Sequence, residues 1–123
     1  MTLHRGDIYF VTLAGNMGSE QAGRRPVLIV SADAINALPL TVVVIPGTDA
    51  ANQGRDFPST LRVSARETGL PMDTVFLCHQ IRALDPKRFI DAATRRPVPL
   101  AGTLPPERMR EIEEAILSTL DIY

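Results

Sequence analysis

The chain has a single cysteine, Cys78, so no disulfide can form within it and its stability must come from packing. Cys78 closes the apolar run Thr74-Val75-Phe76-Leu77-Cys78, where a buried packing role is expected. An excess of charge is missing too. Thirteen basic and fourteen acidic residues leave a net charge of −1, which excludes a generally cationic nucleic-acid coat. Any contact with nucleic acid must therefore use a local basic patch. No apolar run approaches the roughly 20 residues of a membrane span, and Met1 to Asp7 hold no apolar signal core. A cytoplasmic protein without membrane contact is expected. The chain carries no P-loop, no Gly-x-Ser-x-Gly elbow and no Cys/His metal spacing, so neither a metal nor a cofactor is expected. Its two histidines, His4 and His79, are far apart in sequence. Aromatics make up only 5 % of the residues, leaving few side chains for stacking on bases.

What is present suits one domain over residues 1–123, a length that can bury its own core. Asp7–Leu13 is rich in β-formers, and Pro26–Ser31 and Thr41–Ile45 are continuous apolar runs that suit strands covered on both faces. Ser31–Leu40 fits a short helical turn capped by Ser31 or Asp33, and Asp49–Pro58 a polar loop long enough to be functional. Leu61–Val63 resumes a strand, and Thr74–Leu84 is expected as the longest one. Pro97–Leu100 suggests an irregular connector, after which Pro105 and Pro106 suit a helix start. Met109, Ile112, Ala115, Ile116 and Leu120 then mark one face at helical spacing. Helix-length segments do not alternate with the strands, so the expected class is mainly β with a C-terminal helix.

The chemistry gathers in Gly18-Ser19-Glu20-Gln21-Ala22-Gly23-Arg24-Arg25-Pro26, a loop that runs straight into the apolar strand Val27–Val30. The planar, always-charged fork of arginine suits phosphate, and Pro26 biases Arg25 towards extended backbone. Thr48 follows Pro46-Gly47, read as a turn that projects its hydroxyl. Gln80 and Arg82 alternate with Ile81, which in a strand would put both on one face. Each of these residues, taken singly, also reads as a solvated strand edge or a surface ion pair.

Taken in order, Arg5-Gly6-Asp7-Ile8-Tyr9-Phe10, Gly18-Ser19-Glu20-Gln21, Arg25-Pro26-Val27-Leu28, Pro46-Gly47-Thr48 and Gln80-Ile81-Arg82 resemble the MazF/PemK family of toxin endoribonucleases. The resemblance implies a compact antiparallel SH3-like barrel with a C-terminal helix, of the MazF/CcdB toxin kind. It also implies a homodimer and a cognate MazE-like antitoxin. The implied activity is metal-independent cleavage of single-stranded RNA, including mRNA, leaving 2′,3′-cyclic phosphate and 5′-hydroxyl ends. On the family's pattern Arg25 and Thr48 are catalytic and the loop glutamate falls on Glu20; the high pKa of arginine favours Glu20 as the catalytic base, with proton transfer by Arg25 as the alternative. Ser19, Gln21, Arg24, Phe57, Gln80 and Arg82 are the expected RNA contacts, with Asn16-Met17 and the loop Asn52–Phe57 as further readers of bases. Lys87 and Arg88 are available to hold backbone phosphates. His79 departs from the family by standing where an acidic residue is usual, and the connector around Arg95–Pro99 is longer than usual. The alternative is a CcdB-like toxin of the same fold that binds and poisons DNA gyrase.

Overall fold

A computed structural model describes residues 2–14, 17–18, 22–38 and 40–122. Its strands are β1 (Asp7–Leu13), β2 (Gly23–Ile29), β3 (Val42–Asp49), β4 (Thr60–Val63), β5 (Thr74–Leu77), β6 (Arg82–Leu84) and β7 (Leu100–Thr103). The helices are α1 (Asp33–Asn36), α2 (Ala65–Thr68) and α3 (Pro106–Leu120). All strand pairings are antiparallel, in the order β4-β5-β3-β2-β1-β7, with β6 also paired to β3. This is the expected class: a mainly antiparallel sheet curled into a half-barrel, with a C-terminal helix.

The apolar runs are strands covered on both faces. Alternation in β1 and β2 sends Ile8 and Leu28 into one cluster, with Phe76, Met109 and Ile112. It sends Tyr9, Val11, Val27 and Ile29 into a second cluster, with Val44 and Phe89. α3 covers the first cluster, burying Met109, Ile112 and Ala115. The apolar stripe stops short of the sequence expectation: Leu120 is exposed, because α3 packs chiefly on β4 and the turn at Cys78–Gln80. Arg108 ties the helix down through an ion pair with Glu67 at 3.1 Å and a hydrogen bond to the Arg62 carbonyl.

The curl comes from β3. One of its edges meets β2, while the other takes β6 beside Val42–Val44 and β5 beside Gly47–Asp49. Pro46-Gly47 is thus no turn, as the sequence suggested, but the middle of a strand. Nor is Thr74–Leu84 one strand. Between the Gly47–Phe76 and Val44–Arg82 pairs β3 advances three residues while its partner advances six. The excess is taken up by a 3-10 turn at Cys78–Gln80, beside the point where Pro46 offers no N–H for a ladder.

Two further expectations change. Pro97–Leu100 is not wholly irregular, since Pro97 bridges to Ile90 and Leu100 opens β7. α1 is preceded by Ala32, which makes no side-chain cap. The Asp33 carboxylate instead accepts from the Arg5 N–H, and the Ser31 hydroxyl accepts from the Val43 N–H. The outer ends of the sheet meet without strand pairing among the described residues. At Gly102 of β7 a Cβ would stand 2.5 Å from the Thr68 carbonyl oxygen, so α2 closes against β7 through a contact only glycine allows.

Candidate active site

Arg25 lies in β2 opposite Val11 of β1, and the β2–β3 register runs Ile29–Val44, Leu28–Ile45, Val27–Pro46. Carried two residues further, that register sets Arg25 opposite Thr48, both on the sheet face that bears Val27 and Val44. The side chains meet there: the Arg25 Nη1 donates to Thr48 Oγ1 at 3.4 Å, and the Arg25 Nε donates to the Ala22 carbonyl at 3.0 Å. The second bond holds the guanidinium by its stem side, and the first is long enough for a ligand oxygen to displace it. Arg25 is half-buried and Thr48 is 7 % exposed. The pair forms a cation and a hydroxyl held at one strand crossing, partly shielded from water, where charge–dipole interactions strengthen.

Thr48 owes its position to a residue that sequence reading assigned to a turn. A Cβ on Gly47 would stand 2.7 Å from the Thr74 Cγ2 and 3.1 Å from the Phe76 ring. β5 therefore packs directly on the β3 backbone, and Thr48, paired with Val75, cannot drift. The signal in the sequence was the glycine itself inside an otherwise apolar run.

The other expected residues are spread more widely. Arg24, one position before Arg25, faces the opposite way, and its guanidinium lies 4.5 Å above the Phe10 ring centre. Arg82 pairs with Val44 on β3, and Gln80, half-buried, sits in the preceding 3-10 turn. The turn removes the strand alternation expected to align the two, although with His79 and Ile81 they line one small cavity of about 210 Å³. His79 is exposed, its Nδ1 3.5 Å from the Ser59 hydroxyl. Phe57 is exposed on its loop rather than in a core, with Arg55 stacked 5.4 Å from its ring centre. Ser19, Glu20, Gln21 and Asn16 lie outside the described residues, and Met17 is exposed. Among the described residues no three His, Cys, Asp or Glu side chains come together as a metal site would need. No described helix is long and apolar enough to cross a membrane.

Residues 4–120 match the family described as PemK-like, MazF-like toxin of type II toxin-antitoxin system. The chain belongs to that family. It is 35 % identical over 120 residues to Endoribonuclease EndoA of Bacillus subtilis, covering 98 % of this chain and 96 % of the relative. MazF from Deinococcus radiodurans has the same fold, with a TM-score of 0.75 at 23 % identity and 98 % of each chain covered. The MazE-MazF structure from that organism superposes with a TM-score of 0.71 at 21 % identity over the whole of both chains. Within the family's fold, the Arg25–Thr48 crossing lies at the meeting of β2 and β3, held from behind by β5.

Proposed function

We propose that the chain cuts single-stranded RNA at the Arg25–Thr48 pair, by attack of a ribose 2′-hydroxyl on the neighbouring phosphate. The coarse activity goes with the family: this is an endoribonuclease toxin of a type II toxin–antitoxin system. The observation that carries the finer reading is the placement of a guanidinium, a group suited to phosphate, opposite a hydroxyl, 3.4 Å apart, on facing strands. Since the nucleophile belongs to the substrate, the protein must stabilise charge on the phosphate, remove one proton and deliver another. Arg25 stabilises the charge, because a guanidinium already held by the Ala22 carbonyl needs little reorganisation as the extra negative charge develops. Thr48 donates its hydroxyl proton in a hydrogen bond to a non-bridging oxygen.

Arginine keeps its proton to a pKa above about 12, so it is a poor acid or base near neutrality. Glu20 is the proposed base that takes the 2′-hydroxyl proton, the leaving 5′-oxygen takes its proton from solvent water, and the products carry 2′,3′-cyclic phosphate and 5′-hydroxyl ends. Ser19, Gln21, Arg24, Phe57, Gln80 and Arg82 are the proposed RNA contacts. Exposed Phe57 suits stacking on an unpaired base, as single-stranded recognition requires. The same reading includes a homodimer, a cytoplasmic location and a MazE-like antitoxin that covers the RNA groove.

The purified protein, incubated with RNA in EDTA, is expected to leave 5′-hydroxyl ends, and a 2′-deoxy substitution at the scissile nucleotide should block cutting. Absence of cleavage together with inhibited supercoiling would instead place the chain with gyrase poisons, a reading the family match does not favour. For the base, the pH–rate profile of Glu20→Gln decides: an unchanged rate on the basic side removes Glu20 from that role.

A further inference from the structure

Arg24, Lys87 and Arg88 are far apart in sequence, yet they line one cleft of about 380 Å³ with Phe10, Val11 and Ile90. The cleft forms because β7 pairs with β1 only as far as Tyr9, leaving the edge at Phe10–Thr12 uncovered by a strand. The segment from Lys87 to Ala101 passes beside that open edge instead. The cleft wraps the edge of the sheet, taking Phe10 and Arg24 from one face and Val11 from the face that carries Arg25.

Among the described residues the cleft is net cationic. Arg24, Lys87 and Arg88 are exposed, and among the described residues none of their side chains makes an ion pair. Among the described residues the lining holds one carboxylate, Asp91, which the backbone N–H groups of Thr94 and Ala93 keep ionised by holding its pKa below the usual carboxylate range, so three cations against one anion leave an excess of positive charge. The Arg24 guanidinium lies over Phe10, and a guanidinium plane is a surface on which an unpaired base stacks. A flat cationic platform, an apolar wall at Ile90 and two exposed cations at the rim match a nucleotide better than an acidic side chain, which has no ring to stack. The volume lies in the range of small-ligand pockets.

We propose that this cleft is a subsite for a nucleotide flanking the cleaved step of the RNA, its base on Arg24 and its phosphates on Lys87 and Arg88. The inference rests on the RNA-cutting reading. With strands about 4.8 Å apart, β1 lies about 10 Å from β3 and Thr48. The occupant is therefore a few nucleotides away along the strand, on one side only.

The test uses the full chain and nested synthetic RNAs built around a cleavage site mapped from its own 5′-hydroxyl ends. For the native protein KM should fall as the RNA is lengthened on one side and not on the other, with kcat nearly constant. Lys87→Glu/Arg88→Glu should lose that gain, raising KM for the long RNA by about tenfold while leaving the shortest cleavable RNA within about twofold. Its salt dependence should flatten by roughly 1.4 in log–log slope, the loss of two single-strand phosphate contacts. Lys87→Gln/Arg88→Gln should show the same pattern more weakly, and an unchanged melting temperature in either variant confirms the fold. If no RNA is cut at all, the functional reading fails rather than the subsite. The inference is overturned if RNA is cut without length dependence, or if both variants match the native protein on every length. It is also overturned if the substitutions change only the mass of the protein in solution or only its capture of an acidic peptide.

Discussion

Arg25 lies half-buried at a strand crossing, with its Nε on the Ala22 carbonyl and an Nη beside the Thr48 hydroxyl. Arg24, one residue earlier, turns to the other face and lies exposed over the Phe10 ring at the mouth of an open cleft. The two side chains have the same chemistry and nearly the same place in the sequence. What separates them is the pleat of β2, which gives one a preorganised, partly desolvated position and the other a flat surface in water. A guanidinium already held in place can stabilise a transition state, whereas an exposed one stacked on a ring is better suited to holding a flexible strand.

Substitution should separate the two arginines sharply. Arg25→Ala is expected to lower kcat about 10²–10³-fold, the usual loss when one preorganised donor is removed, with RNA affinity and melting temperature little changed. Arg25→Lys should rescue little of this, because it keeps the charge and loses the fork. Arg24→Gln should act the other way, raising KM for long RNA by about tenfold or less while kcat stays constant. If both variants lost kcat equally, the contrast between the two faces would collapse.

The framework behind Arg25 can be broken without touching the site. Burial pushes the Cys78 thiol from an ordinary pKa of 9.0 up to about 11. The folded value exceeds the unfolded one, so this contribution to stability is complete below about pH 9 and is lost as the pH rises towards 11. Denaturant titrations between pH 8 and 11 should show that loss, and Cys78→Ala should flatten the slope whatever it does to absolute stability. Gly47→Ala presses a methyl against Thr74 and Phe76 and should destabilise by about 1–3 kcal/mol, read from denaturant midpoints. Because Thr48 is the next residue, kcat should fall as well. Arg5→Ala, which breaks a largely exposed ion pair with Glu113, should cost less than about 1 kcal/mol and leave cleavage unaffected.

Much of this was legible along the chain. β1 spans the residues its β-formers indicated, and α3 begins where Pro105-Pro106 placed it. The covered strands followed from apolar runs with no polar alternation. What went unread has a common origin. Pro46-Gly47 carries the composition of a turn, yet it continues β3 because Gly47 is needed where β5 packs on the backbone. The 3-10 turn at Cys78–Gln80 breaks an apolar run whose local propensity is all strand, since β3 must pair with β5 and β6 in different registers. Leu100–Thr103 holds too little β-branched character to announce a strand, and becomes one only because β1 offers it an edge.

The sequence by itself determined the mainly β class, the terminal helix, the family and the ordered set of polar residues that includes Arg25 and Thr48. Those properties depend on local propensity, on burial pattern and on which residues are present. Tertiary structure alone decided that these two side chains face each other, because residues 25 and 48 meet only through the β2–β3 register. It decided in the same way that Arg24 joins Lys87 and Arg88, since that requires β7 to stop short along β1 and leave an edge for a distant segment to line. Register and strand endings are set by pairings between segments far apart in the chain, and no local pattern records them.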